Sequence, residues 1–408
     1  MLGKSQFDRS IPIIMQTSSI PVRLNRQRAF NLCVAKTRRN ITDLAARPAS
    51  WSNAVDGDYA KFSEGFFEIG NWTSSFFTGM ALLAWQITED EYFLTQTLRL
   101  APSYREKATV RYLDMHHDAG FLYTPYSVAL HKLTGAAEHR DVGLAAAAAL
   151  YQRFNPNGGF IRAWGRLDEV ESPVGNGKLR TDNLAIIDCM MNLPLLYWAT
   201  LASNDRKFHD AAVRQADNTL QCFVRADDSV FHAYRFDLQT GAPAGGDNYC
   251  GYAVDSHWAR GTAWAIYGFA LSYRYTGDRR YLEASLRLAR RFNHELNGDD
   301  IPVWDFRLPP EVTPFRDSSA AAVVVCAYQE LEKLGAADAL ILKTKDSLLH
   351  HLCADRYLNL DDGCRGVLRD GQVGAADHNR ARNAYTSWGD YFLMEALARE
   401  LHQFDPWW

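Results

Sequence analysis

The chain contains no C-x-x-C pair, no H-E-x-x-H motif, no apolar stretch of bilayer-crossing length, and no excess of either charge. Each absence excludes something. Its seven cysteines, Cys33, Cys189, Cys222, Cys250, Cys326, Cys353 and Cys364, are odd in number and lie mostly in apolar surroundings. They therefore read as reduced thiols of a reducing compartment, not as a disulfide framework or a zinc knuckle. The run His116-His117-Asp118 offers metal-ligand side chains, but no second histidine pair at zinc-ligand spacing accompanies it, and no metal is expected. A formal net charge of −4 gives no basic field for nucleic acid or anionic lipid, so any anionic ligand must be recognised locally. The N-terminus has basic residues but no uninterrupted apolar run of signal-peptide length. The expectation is a soluble, cytoplasmic protein with no nucleic-acid or membrane partner.

With 408 residues, 47% of them hydrophobic, the chain can bury a large core as one big domain or two ordinary ones. Aromatic residues make up 12%, a surplus that fills cores and also lines grooves for flat ligands such as sugar rings.

One stretch stands out. The run LAIIDCMMNLPLLYWA (184–199) holds a single acid, Asp188, in an otherwise apolar segment. A carboxylate taken out of water costs several kcal/mol, or protonates, unless hydrogen bonds or a partner charge compensate it. A group poised between charged and neutral suits proton transfer. Asn192 and Pro194 predict a helix starting just after the acid, with Asn192 as its cap. The plainer alternative is that Asp188 itself caps the helix and stays ionised.

A loose leader is expected over 1–23, followed by one domain over 24–408. Within it one pattern recurs: an apolar helix, a short polar turn, and a second helix opening with an aromatic residue. Copies start near Gly79, Ser127, Leu195, Ala265 and, more weakly, Val323. Their turns, at Thr88, Thr134, Ser203, Thr276 and Gly335, fall roughly fifty to seventy residues apart, the size of a helical hairpin with a long return loop. A sixth hairpin is available from the last helix and a helix near 28–44. Six hairpins in a ring make an all-α (α/α)6 barrel; an open solenoid is the competing arrangement. The loops between hairpins carry the acidic, aromatic and basic residues, so they would gather at one end of a ring and form a pocket there. A strand-like insert is expected at 229–238. Asp118 and Asp188 are the carboxylates available for acid/base work, whereas Asp390 reads as a loop-holding residue.

Several motifs in order resemble the unsaturated glucuronyl hydrolases, glycoside hydrolase family 88. They are HHDAGFLY (116–123), RAWG (162–165), IIDCMMNLPLLYWA (186–199), HAYRFD (232–237) with TGAPAGG (240–246), DSHWARGTAWAIYGFAL (255–271), VWDF (303–306), RDSSAAA (316–322) and WGDYFLMEAL (388–397). The resemblance runs from about Trp72 to the C-terminus. It implies a six-hairpin barrel and an enzyme acting on lyase-generated oligosaccharides that end in a 4,5-unsaturated uronic acid. Water adds across C4=C5, and the resulting hemiketal opens and expels the next sugar.

The resemblance also implies Asp188 as general acid/base and Asp118 as the second essential carboxylate. His232 is implied as a pocket histidine, His117 lies beside Asp118, and Trp72, Trp164, Trp258 and Trp264 are implied as ring-stacking aromatics. Arg260 is the cation for the substrate carboxylate. No metal or organic cofactor is implied. Cys250 and Thr262 stand where many members have glutamine, and 369–379 lacks the Tyr-His of some members. These departures leave linkage and sulfation preference open, as is oligomeric state. The alternatives are an unsaturated rhamnogalacturonyl hydrolase of the same fold and a non-catalytic sugar-binding α/α barrel.

Overall fold

Three of the five hairpin turns share a local chemistry that the sequence spells as Thr/Ser-x-Asp. At Thr88-Glu89-Asp90, Ser203-Asn204-Asp205 and Thr276-Gly277-Asp278, the hydroxyl donates to the carbonyl four residues back (2.6, 2.7 and 2.7 Å). The same hydroxyl accepts the aspartate N–H (3.4, 3.2 and 3.1 Å). The middle residue turns left-handed, with φ of 57°, 58° and 70°. The aspartate then caps the outgoing helix by accepting the N–H two residues on (3.0, 3.1 and 2.9 Å). One helix is thus closed and the next opened within three residues, with the aspartate satisfying one of the orphan N–H groups of the outgoing helix.

The computed structural model describes residues 22–48, 59, 72–174, 177–374 and 384–408. Fourteen α-helices occur among them. Six inner elements follow one another: α2 (Ser74–Thr88), α5 (Ala119–Tyr123) with the π-turn Thr124–Val128 that continues it, α8 (Leu193–Ser203), α10 (Ala259–Thr276), α12 (Ser318–Lys333) and α14 (Ser387–His402). Each packs on the next, and α14 packs back on α2. Against these lie the outer helices α3 (Glu91–Leu98), α7 (Ala137–Gln152), α9 (Arg206–Asn218), α11 (Arg279–Leu296), α13 (Ala339–Leu352) and α1 (Val22–Ala46). Short helices α4 (Ala101–Thr109) and α6 (Ala129–Thr134) complete the set. This is the all-α, six-hairpin arrangement expected, including the sixth pair made from the two ends of the chain. The first helix starts at Val22, two residues inside the leader expected over 1–23, and residues 1–21 of that leader lie outside the described residues.

Inner helices are buried nearly all round, as α10 shows with Trp264, Tyr267 and Leu271 fully enclosed. Outer helices bury one stripe; on α11 it is Tyr281, Ala284, Leu288, Ala289 and Phe292. Most of the aromatic surplus goes into this core: Trp264, Trp304, Trp388 and Trp408 are among the largest fully buried side chains. No disulfide joins the cysteines, and five of the seven are buried. No helix among the described residues is long and apolar enough to cross a membrane.

The inter-hairpin loops carry small strands. Hairpins β1 (Phe154–Asn155) with β2 (Phe160–Ile161) and β3 (Glu171–Val174) with β4 (Gly177–Arg180) precede a three-stranded antiparallel sheet. It consists of β5 (Leu184–Ile186), β6 (Ala233–Phe236) and β7 (Pro243–Asp247), with β6 central. The strand-like insert expected at 229–238 is β6.

Candidate active site

Pairing of β5 with β6 brings the first two functional side chains together. Ile186 lies opposite Ala233, and Ile187 N–H donates to the His232 carbonyl at 2.9 Å. Asp188 and His232 therefore leave adjacent strand ends, with His232 Nε2 3.8 Å from Asp188 Oδ2. Asp188 sits in the 3-10 turn Ile187–Met191 that leads into α8. It is not a cap, and Oδ2 is buried without a hydrogen-bond partner.

Asn192 ties in the other carboxylate. Its amide donates to the Asp188 carbonyl (3.0 Å) and to Asp118 Oδ1 (3.3 Å), while its own oxygen accepts Phe121 N–H (2.8 Å). Asn192 was expected to cap α8, but its side chain makes no capping bond there. It spans instead from the start of α8 to the start of α5. That approach is close enough to require Gly120, where an added Cβ would stand 2.4 Å from the Asn192 Cα. Main chain cannot yield as a side-chain tip can. Gly120→Ala is expected to destabilise the fold by about 1–3 kcal/mol and to reduce turnover by displacing Asp118, measurable as a lowered urea midpoint and a lowered kcat.

Two histidines are held in the same way. Trp164 N–H donates to His117 Nδ1 (3.1 Å), and Tyr249 N–H donates to His232 Nδ1 (2.9 Å). Each ring accepts at Nδ1, so each neutral ring carries its proton on Nε2, on the side of the carboxylates. Burial pushes both histidines down to about 3, so both are neutral in the physiological range. His117 Nε2 lies 3.2 Å from Asp118 Oδ1, but without hydrogen-bond geometry.

The carboxylates are driven apart. Asp118 is held below its ordinary value: burial opposes ionisation, but the His117 and His116 rings and the Asn192 amide outweigh it. Asp188 is pushed up to about 7, first by burial and then by the charge on Asp118, with Arg260 pulling the other way. One acid is ionised and its neighbour still holds a proton near neutrality, the division of labour that acid/base chemistry uses. Candidate ligand atoms of His116, His117 and Asp118 lie within 4.8 Å of one another. His117 Nδ1 is already taken by Trp164, and the bonds within the run account for the proximity.

Aromatic rings form a continuous wall around this pair. Trp164 stands edge-on to His117 (6.2 Å) and Tyr249 (5.1 Å) and near His232 (6.1 Å), and His232 is edge-on to Trp258 (5.0 Å). The Arg260 guanidinium lies over Trp258 (4.6 Å) and Trp388 (5.2 Å), and Trp388 stacks on Trp72 (4.9 Å). Asp188 Oδ2, His117 Nε2, His232 Nε2 and Trp258 Nε1 are buried without hydrogen-bond partners. Buried polar atoms are nearly always paired, so such a cluster marks a place for a polar ligand.

Residues 52–296 match the profile described as Glycosyl Hydrolase Family 88. The chain belongs to that family. It is 35% identical to the unsaturated glucuronyl hydrolase of Bacillus sp. (strain GL1), over 81% of this chain and 86% of that protein. It is 33% identical to the unsaturated chondroitin disaccharide hydrolase of Streptococcus pyogenes serotype M1, over 83% of each. The crystal structure of the Bacillus sp. GL1 enzyme, described as responsible for the degradation of glycosaminoglycan, superposes with a TM-score of 0.83 at 31% identity, covering 94% of this chain and 99% of that one.

Among the residues that the family 88 resemblance implies, the structure brings together Asp118, Asp188, His117, His232, Trp164 and Trp258, with Trp72 further along the wall. Two are placed differently from expectation. Arg260 is buried, its terminal nitrogens are taken by Asp317 (2.9 Å) and by the Gln372 and Val373 carbonyls, and its Nε is buried without a hydrogen-bond partner. It reaches the site through its field on Asp188 and His232 and through its stacking on tryptophan. Trp264 packs into the aromatic core against Phe121 (5.2 Å) and Phe392 (5.4 Å). Asp390 is a loop-holding residue: it accepts Val367 N–H (2.9 Å), Leu368 N–H (2.8 Å) and the Tyr59 hydroxyl (2.7 Å). Tyr249 and Asn192 joined the site without a sequence signal for that role. Trp388 had one, since it lies in a tryptophan-bearing loop motif.

Proposed function

We propose that Asp188 is the proton donor and acceptor with which this family 88 glycosidase releases the 4,5-unsaturated uronic acid from the non-reducing end of lyase-generated oligosaccharides. The carrying observation is a partly buried carboxyl whose enclosed Oδ2 no protein group occupies, with its pKa pushed up to about 7 by burial and by the ionised Asp118. In the first step Asp188 gives its proton to C4 of the C4=C5 alkene. Water then adds its oxygen to C5 and its proton returns to the Asp188 carboxylate, leaving a hemiketal that opens and expels the neighbouring sugar. Net consumption is one water, and Asp188 ends as it began.

Asp118 serves this cycle in two ways. Its charge keeps the proton on Asp188, and it faces the cationic character that develops at C5 after protonation. His232 is too far from Asp188 for a hydrogen bond and too weakly basic to take its proton, so it orients substrate or water by donating from Nε2. Trp164 and Trp258 supply flat apolar faces for the sugar ring. Five of the seven cysteines are buried in apolar surroundings, which suits a reducing, cytoplasmic location, where the substrate would be small oligosaccharide already cut outside the cell.

The test is to mix the protein with an unsaturated uronyl disaccharide and follow the ultraviolet absorbance of the conjugated alkene, which hydration abolishes. Absorbance should fall with turnover, and kcat/KM should be level through mildly acidic pH and decline above about pH 7, where Asp188 loses its proton. Binding with no loss of absorbance across several uronides would make the chain a sugar-binding scaffold.

A further inference from the structure

We infer that Arg153, which makes no ion pair among the described residues and is absent from the constellation above, is a positioning residue that holds the Trp164 turn and the segment entering His116–Asp118 as one unit. It lies just past the end of α7 and is buried. Its guanidinium donates to five main-chain carbonyls: Arg162 (2.9 Å), Met115 (3.0 Å), Gly165 (3.0 Å), Ala163 (3.3 Å) and Trp164. A guanidinium has five N–H donors in a fixed plane, so the match is one donor to one acceptor. Four of the acceptors belong to the 162–165 turn, and the fifth, Met115, immediately precedes His116.

A buried cation that makes no ion pair is costly, and an apolar side chain would fill the space at less expense. Something must keep it, and the backbone it grips shows what that is. Trp164 has φ of +42°, a conformation that bulky residues adopt only when their surroundings impose it, and Gly165 follows at +66°. The turn aims the Trp164 ring at His117, His232 and Tyr249 and delivers the Trp164 N–H to His117 Nδ1. Relaxing the turn would move the aromatic wall and release the His117 tautomer together. Arg162, brought alongside by the β1–β2 hairpin, cannot substitute: its guanidinium is taken by Thr181 Oγ1 (2.7 and 3.2 Å) and by loop carbonyls. Burial and repulsion from Arg162 lower Arg153 to about 9, with Asp118 opposing, so it is a cation wherever the enzyme works.

The inference rests on the hydrolase reading, and its test separates the two. Arg153→Lys and Arg153→Met are made in the full chain, alone and with Trp164→Ala. Thermal midpoint, kcat and KM are measured for an unsaturated uronyl disaccharide, and its Kd is measured by tryptophan fluorescence quenching. Lysine keeps the charge but offers three donors to five carbonyls, so Arg153→Lys should raise KM and Kd about tenfold with a smaller fall in kcat, and Arg153→Met should raise them further. In the Trp164→Ala background, Arg153→Lys should raise Kd by less than about twofold, because the ring it positions is gone. If Arg153→Met does not fold, the lysine cycle decides. Unchanged KM and Kd in Arg153→Lys, or losses that multiply with those of Trp164→Ala, would overturn the inference. If the wild type binds the disaccharide without turnover, the hydrolase reading fails while the Kd cycle still tests Arg153.

Discussion

Asp188→Asn is expected to lower kcat by about 100- to 10,000-fold, the usual worth of a positioned general acid, while leaving disaccharide binding within a few-fold. Asparagine keeps the shape and polarity of a protonated carboxyl but has no proton to give and cannot accept one from water. The same change should make the protein more stable in alkaline solution. The folded-state value of Asp188 is raised from 3.8 to about 7. Its neutral form is therefore favoured in the fold, and the associated stability is fully present below the unfolded value and lost as pH rises through about 7. Asparagine is neutral throughout, so its gain should be small near pH 4 and grow to a plateau above pH 7, on the order of 4 kcal/mol at most. Paired thermal melts across this range would show the midpoints diverging with pH. Parallel curves would mean that Asp188 is an ordinary ionised acid.

Asp118→Asn should produce the second large effect, a loss of kcat on the order of 100-fold together with a displaced pH profile. Asp118 is ionised because two histidines and Asn192 favour its charge, and that charge is the second cause of the raised Asp188. Removing it lets Asp188 ionise more easily, so the alkaline decline of kcat/KM should move to lower pH. The sign is informative, because an Asp118 that merely contacted sugar hydroxyls would raise KM and leave the profile in place. Steady-state rates across pH, with the alkene absorbance as readout, distinguish the two.

The hairpin architecture was legible because its turns are local. In three of them a hydroxyl, a left-handed residue and an aspartate close one helix and open the next in three residues, and the apolar helices between turns repeat. Asp188 was legible for a physical reason too, since a single acid in an apolar run has to be neutral, bonded or used. Side-chain direction was not legible. Trp258, Arg260 and Trp264 share one motif at the start of α10, yet Trp258 joins the wall while Arg260 turns to Asp317 and Trp264 into the core. Asn192, followed by Leu193 and Pro194, reads as a cap, and only the packing of α5 against α8 gives its amide a better use across chain segments 74 residues apart. Tyr249 lies in an irregular loop without periodicity, and its role depends on a backbone N–H that no side-chain pattern encodes.

The proton on Asp188 is the centre of the account, and infrared difference titration of the wild type against Asp188→Asn observes it directly. A protonated-carboxyl band belonging to Asp188 should be present in weakly acidic solution and vanish with a midpoint of about 7. A band that vanishes near pH 4 would leave this site without its acid and contradict the mechanism.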